Sequence, residues 1–144
     1  DQEIEMRGMS RMSETFKDKA VNISVTSYNR QVLLTGQVPD EAARARAAEV
    51  ARAVPEVRTV FNELAIAGIS SLTTRTNDTG TTANVKTRLL ADKRVSANNI
   101  KVVTEAGVTY LMGLVTPDEA STATEIARNT GGVSKVVTLF EITN

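Results

Sequence analysis

Residues 22–42, NISVTSYNRQVLLTGQVPDEA, lie over residues 99–120, NIKVVTEAGVTYLMGLVTPDEA. Asn22 matches Asn99, Ile23 matches Ile100, Val25 matches Val102, Leu34 matches Leu111, Gly36 matches Gly113 and Val38 matches Val115, an offset of 77 residues. Thr116 is an insertion in the second copy and a short deletion follows it. The offset then settles at 76, pairing Glu49-Val50-Ala51-Arg52 with Glu125-Ile126-Ala127-Arg128, and Val57, Val60 and Ile66 with Val133, Val136 and Ile142. Two copies make a two-domain chain, because a stacked array needs about three units or more.

Each copy changes period at the same place. Val32, Leu34 and Val38 alternate with Leu33, Thr35 and Gln37, the pattern of a strand with one buried face. The shorter alternation Ile23, Val25 precedes it, and Ser27-Tyr28-Asn29-Arg30 reads as the hairpin turn between them. From Asp40 on, Ala43, Ala47, Val50, Ala51 and Val54 recur at helical spacing. Pro39 suits the first helical position, where its missing N–H costs nothing, and Thr116-Pro117-Asp118-Glu119 has the form of a capping box. Pro55 and Gly131-Gly132 stop the helices, and 57–66 and 133–142 read as closing strands. A weaker helix is predicted before each unit, around Ile4 to Phe16 and Thr81 to Leu90. The expected class is α+β: two tandem α-β-β-α-β domains, each a three-stranded mixed sheet with helices on one face. The boundaries are 1–66 for the first domain, 67–80 for a Gly-, Ser-, Thr- and Asn-rich linker and 81–144 for the second, with Asn77-Asp78 placed to cap the helix that follows. Gly36 and Gly113, on the helix-facing side by alternation, read as places where a helix backbone approaches the sheet.

Alternation also names what each sheet shows on its other face. In the first copy these are Leu33, Thr35, Gln37, Phe61 and Glu63; in the second, Tyr110, Met112, Leu114, Val137 and Leu139, all apolar. A patch of that kind marks an interaction surface, so this face is expected to pack against the first domain or the 67–80 linker.

Composition removes most chemistry. The 144 residues hold 17 basic and 17 acidic side chains, which leaves no global positive field for nucleic acid. With no Cys and no His there is no disulfide, thiolate zinc site or imidazole catalysis. Asp40-Glu41 and Asp118-Glu119 are paired acids, but both open a helix, where the dipole favours them. No nucleotide-binding, nucleophile-elbow, zincin or EF-hand pattern occurs, so no catalytic residue, metal or cofactor is assigned and the chain reads as a non-enzyme. No stretch reaches the roughly 18 apolar residues of a spanning helix. Beginning at Asp1 rather than Met, the chain reads as what remains after removal of a segment that would carry a signal and a lipid-attachment site.

The run Val32-Leu33-Leu34-Thr35-Gly36-Gln37-Val38, the Ala-rich helix after it and the following V-x-x-V strand resemble the BON domain family of bacterial envelope proteins. Val25 to Gln37, Asn77-Asp78-Thr79, NIKVVTE and YLMGLVT make the chain similar to that family's two-domain outer-membrane lipoproteins. The resemblance implies a periplasmic, lipid-anchored protein that binds anionic phospholipid and supports outer-membrane integrity. It also implies that the lipid surface lies on the first helix of the second domain, here Thr79 through Leu90. Where the family carries a Trp after Asn77-Asp78-Thr79, this chain has Gly80 and no Trp anywhere. Charge remains: Lys86, Arg88, Lys93, Arg94 and Lys101 stand against Asp92 alone. The expected lipid-binding residues are Thr79, Gly80, Lys86, Leu90, Lys93 and Arg94. An adaptor for an envelope protein, without lipid binding, is the rival reading, and a soluble stress protein a third; the oligomeric state stays open.

Overall fold

The computed structural model describes residues 1–69 and 71–143, apart from the side chain of Leu72. Ser70, within the expected linker, and Asn144, at the expected end of the second domain, lie outside them. The chain divides into two units, Asp1–Ser70 and Ser71–Asn144. The first runs α1 (Gln2–Thr15), β1 (Asn22–Tyr28), β2 (Gln31–Val38), α2 (Glu41–Arg52), β3 (Thr59–Asn62) and β4 (Ala65–Ile66). The second runs α3 (Leu72–Ala91), a short 3-10 turn, β5 (Ile100–Glu105), β6 (Val108–Val115), α4 (Pro117–Arg128) and β7 (Lys135–Ile142).

Both sheets are mixed. β1 pairs antiparallel with β2, and β3 and β4 lie end to end along β2 in parallel. β5 pairs antiparallel with β6, and β7 lies parallel to β6 along its whole length. The hairpin turns are two residues long with both φ values positive, 49° and 63° at Asn29 and Arg30, 51° and 81° at Ala106 and Gly107. That geometry matches the strand twist and keeps the register tight. Strand alternation has the predicted phase. Val32, Leu34 and Val38 join Ile4, Met12 and the α2 alanines in one core; Leu111 and Val115 join Val85, Leu89 and Ile126 in the other. Fully burying a Leu or Val contributes about 1.5–3 kcal/mol, so each core is the principal stabilising term of its unit.

Three expectations need correction. α3 begins at Leu72, so much of the expected linker is helix. Its cap is Ser71, whose hydroxyl accepts from the Thr74 N–H at 3.1 Å, and not Asn77-Asp78, which lie within the helix. Pro39 precedes α2 instead of opening it: Asp40 is the cap, accepting from the Ala43 N–H at 2.8 Å. A carboxylate one residue past the proline satisfies an orphan amide, which Pro at the first helical position would not do. Gly36 and Gly113 do not admit a helix. Their φ values are +124° and +151°, and a Cβ would land on the carbonyl oxygen of Asn22 at the start of β1 or of Asn99 just before β5. The close helix approach is at Gly8, where a Cβ would stand 3.0 Å from Val25 Cγ1.

Candidate functional site

α3 has two faces because its apolar residues recur at 3–4 residue spacing. Asp78, Thr81, Val85 and Leu89 are buried against the second unit's core. Beside them Thr79, Ala83, Lys86 and Leu90 form one exposed line of about three turns. Leu90, 69% exposed, is an aliphatic side chain left largely in solvent. Lys86 on the same line and Lys93 just past the helix are exposed, with no ion-pair partner among the described residues.

The remaining basic residues are not brought to that line as free charges. Arg94 is held by Asp92 through Nε at 3.0 Å and Nη2 at 2.7 Å, and its backbone N–H also donates to Asp92. The Arg94 side-chain hydrogen bonds, then its backbone N–H, hold the Asp92 carboxyl down to about 2. The Arg94 guanidinium stays charged but is offset by the Asp92 carboxylate, where the sequence suggested an open cation. Arg88 donates to Asn129 O at 2.7 Å and Thr130 Oγ1 at 3.0 Å, tying α3 to the carbonyl end of α4. Arg11 does the same in the first unit, donating to Ala53 O at 2.9 Å. A contact built twice at matching positions belongs to the fold. Lys101 alternates with the core residue Val102 and so projects from the sheet face away from α3. Of the cations read from sequence, Lys86 and Lys93 are the two on or beside this line that neither an ion pair nor a contact with α4 holds, while Arg88 keeps its charge but is pinned to the end of α4.

Gly80 lies round the helix from the Lys86 line, on a polar groove of about 480 Å³ that Asn77, Thr81, Asn84, Gly107 and Gly132 also line. Nothing stands within 4 Å of a Cβ built there, so a larger side chain has room. Beside it is a device that sequence reading missed. Asp78 accepts from the hairpin amides of Ala106 at 2.7 Å and Gly107 at 2.9 Å. Asp1 accepts from Asn29 at 2.7 Å and Arg30 at 2.8 Å in the first unit. The signal was available: the 77-residue offset that aligns the strands also places Asp1 on Asp78.

The paired acids are structural. Asp40 caps α2. Glu119 completes the Thr116 capping box and also accepts from Ser96 N–H at 3.0 Å; the amides of Thr116 and then Ser96 lower its pKa. Among the described residues no group of three or more Asp or Glu is placed to hold a metal ion, and no helix is long and apolar enough to cross a membrane. Tyr110, Met112, Leu114, Val137 and Leu139 all project away from the helix-side core. Tyr110 and Met112 are buried and the other three half-buried.

The BON domain family model matches residues 1–68 and again 77–144. Outer membrane lipoprotein DolP of Haemophilus influenzae is 37% identical over 119 residues, covering 83% of this chain and 62% of the relative. The 21 kDa hemolysin of Actinobacillus pleuropneumoniae is 36% identical over 115 residues, 80% of this chain and 59% of that protein. Osmotically-inducible protein Y of Escherichia coli K12 is 36% identical over 121 residues, 82% and 60%. The chain thus spans about three-fifths of the length of these relatives.

Proposed function

The chain belongs to the BON domain family, and from that premise we propose that it is a non-enzymatic, periplasmic envelope-maintenance protein. It is anchored by lipid at the outer membrane and binds anionic phospholipid through its second unit. The observation that carries this reading is the exposed line on α3: Thr79, Lys86 and the 69%-exposed Leu90, with Lys93 beyond its end. An aliphatic tip flanked by two lysines suits a headgroup layer, where the chain end of Leu is desolvated and the ammonium groups meet phosphate. The outer-membrane lipoprotein among the relatives supports the location.

Magnitudes define how such a site works. Each lysine near an anionic surface contributes about 1 kcal/mol, and burying Leu90 adds about 1.5–3 kcal/mol. The sum of about 4 kcal/mol corresponds to millimolar affinity. Alone, that is weak; on a chain already tethered to the same membrane it sets orientation, because the effective concentration is high.

Co-sedimentation with vesicles tests the reading. Binding is expected to vesicles containing phosphatidylglycerol, not to pure phosphatidylcholine, and to disappear in high salt. The double variant Lys86→Glu, Lys93→Glu should abolish it. Unchanged binding in the double variant rejects the site. No binding to any vesicle favours an adaptor for an envelope protein.

We further propose that the apolar face formed by Tyr110, Met112, Leu114, Val137 and Leu139 is covered by the first domain or the 67–80 segment. Its composition supports this: five adjacent apolar side chains stand opposite the helix-covered face.

A further inference from the structure

The two copies treat one sheet edge differently. In the first unit Arg44, on α2, lies across the outer edge of the β3–β4 ribbon. Its Nη2 donates to Asn62 O at 3.0 Å and its Nε to Leu64 O at 3.1 Å, while the Asn62 amide donates to Arg44 O at 2.9 Å. Those carbonyls face outward because the residues between and beyond them turn inward: Glu63 N–H donates to Leu34 O, and Ala67 N–H to Val38 O. The strand is interrupted at this point, with β3 four residues long and β4 two. A broken edge capped by a charged side chain is a standard way of blocking further strand pairing.

In the second unit, 76 residues on, Arg44 becomes Ala120, Asn62 becomes Thr138 and Leu64 becomes Phe140. β7 runs unbroken for eight residues. Thr143 N–H donates to Val115 O, so by the same alternation the backbone groups of Thr138, Phe140 and Ile142 turn outward. Where the guanidinium lay in the first unit there is a groove of about 500 Å³ between α4 and β7, lined in part by Ala120, Thr124, Thr138, Phe140 and Ile142. Thr138 is exposed and Ile142 is 56% exposed.

An open edge recognises another strand by its backbone. The side chains of β7 identify which. Reversed on itself about Thr138, Lys135-Val136-Val137-Thr138-Leu139-Phe140-Glu141-Ile142 sets Lys135 opposite Glu141, Val136 opposite Phe140 and Val137 opposite Leu139. Both charges meet their complement and every interior apolar residue meets another, the pairings that favour an antiparallel ladder. Thr138 at the centre has its amide outward, so it sits opposite its own copy as a hydrogen-bonded pair. Centring on Val137 or Leu139 instead sets Lys135 against Leu139, or Glu141 against Val137, and loses both ion pairs.

We propose that the β7 edge is a dimerisation surface whose occupant is the β7 of a second copy of this chain, antiparallel about Thr138. The contact is isologous, so each copy supplies the same patch and the assembly closes at two.

Sedimentation velocity on the 144-residue chain over a concentration series tests this. The parent chain should show a concentration-dependent monomer–dimer equilibrium. Ala120→Arg, which transplants the first unit's cap, should weaken dimerisation by roughly tenfold or more, with circular dichroism confirming that the variant is folded. Lys135→Glu should weaken it too, by opposing Glu141 with a like charge, and Lys135→Glu with Glu141→Lys should restore it. Sedimentation as a monomer up to roughly millimolar protein overturns the proposal, even if the edge then takes a peptide from another protein. So does a dimer that is indifferent to Ala120→Arg, or one that the charge reversal does not recover.

Discussion

Just past α3, one carboxylate decides how much positive charge the candidate site presents. Asp92 is held at about 2 against an ordinary 3.8 by Arg94. A depressed carboxyl contributes stability at pH above its unfolded value and loses it as the pH falls through the folded one. The Asp92 contribution is therefore complete above pH 3.8 and disappears between 3.8 and about 2. Asp92→Asn should lower the melting temperature slightly at neutral pH, and the gap from the parent chain should close on acidification through that window. Glu119, lowered by the Thr116 and Ser96 amides, loses its contribution in the same direction but is present in both proteins, so it cancels in the comparison. Because Arg94 is exposed and solvent screens the pair, the gap is small. The same substitution unmasks Arg94, so binding to anionic vesicles at neutral pH should rise. A fall would mean that the turn geometry, not the free charge, serves the membrane.

At the scale of elements, each unit is held by a helix that reaches across to the hairpin turn. Asp78 is 28 residues from Ala106, and its carboxylate satisfies two amides that the tight turn directs outward. Asp78→Ala leaves both without this acceptor. Hydrogen bonds to charged groups contribute about 1.5–3 kcal/mol each, so losing the two should cost the second unit roughly 3–6 kcal/mol in chemical denaturation. Hydrogen exchange should localise the damage, with protection falling at Ala106, Gly107 and the first two turns of α3 while the Val85–Leu89 segment stays protected. Unchanged protection in the first two turns of α3 would show that the helix start does not depend on the clamp.

For the whole molecule, the apolar face of the second sheet is the feature that composition alone does not settle by burial in a helix core. If it is covered, Leu114→Glu places a carboxylate where it has no partner, and stability should drop by about 3–5 kcal/mol. An unchanged denaturation midpoint would reject the cover. The membrane reading and the dimer reading are separable at this scale, since one uses the exposed line of α3 and the other the β7 edge and the groove beside α4. Vesicle binding and sedimentation velocity on the same variants report on them independently.

By itself the sequence determined the duplication, the phase of the strands, the capping box at Thr116 and the family. Each of these is carried by residues within one element or by a match between copies, and the α-to-β change of period is a local property of side-chain spacing. Only the tertiary structure decided where α3 starts. Thr, Asn and Gly disfavour helix locally, so the Ser71 cap is not conspicuous in the sequence, and the tie of Asp78 to a distant turn is not encoded in any local spacing. It also decided why Gly36 and Gly113 are glycine, because the obstacle is the backbone at the entry to the neighbouring strand. Charge was the least legible. Counting Lys86, Arg88, Lys93, Arg94 and Lys101 gives a basic cluster, but Arg88 is pinned to the end of α4, Arg94 is paired with Asp92, and Lys101 faces the other way. Which cations stay free is set by partners brought near through folding, and no spacing along the chain encodes that.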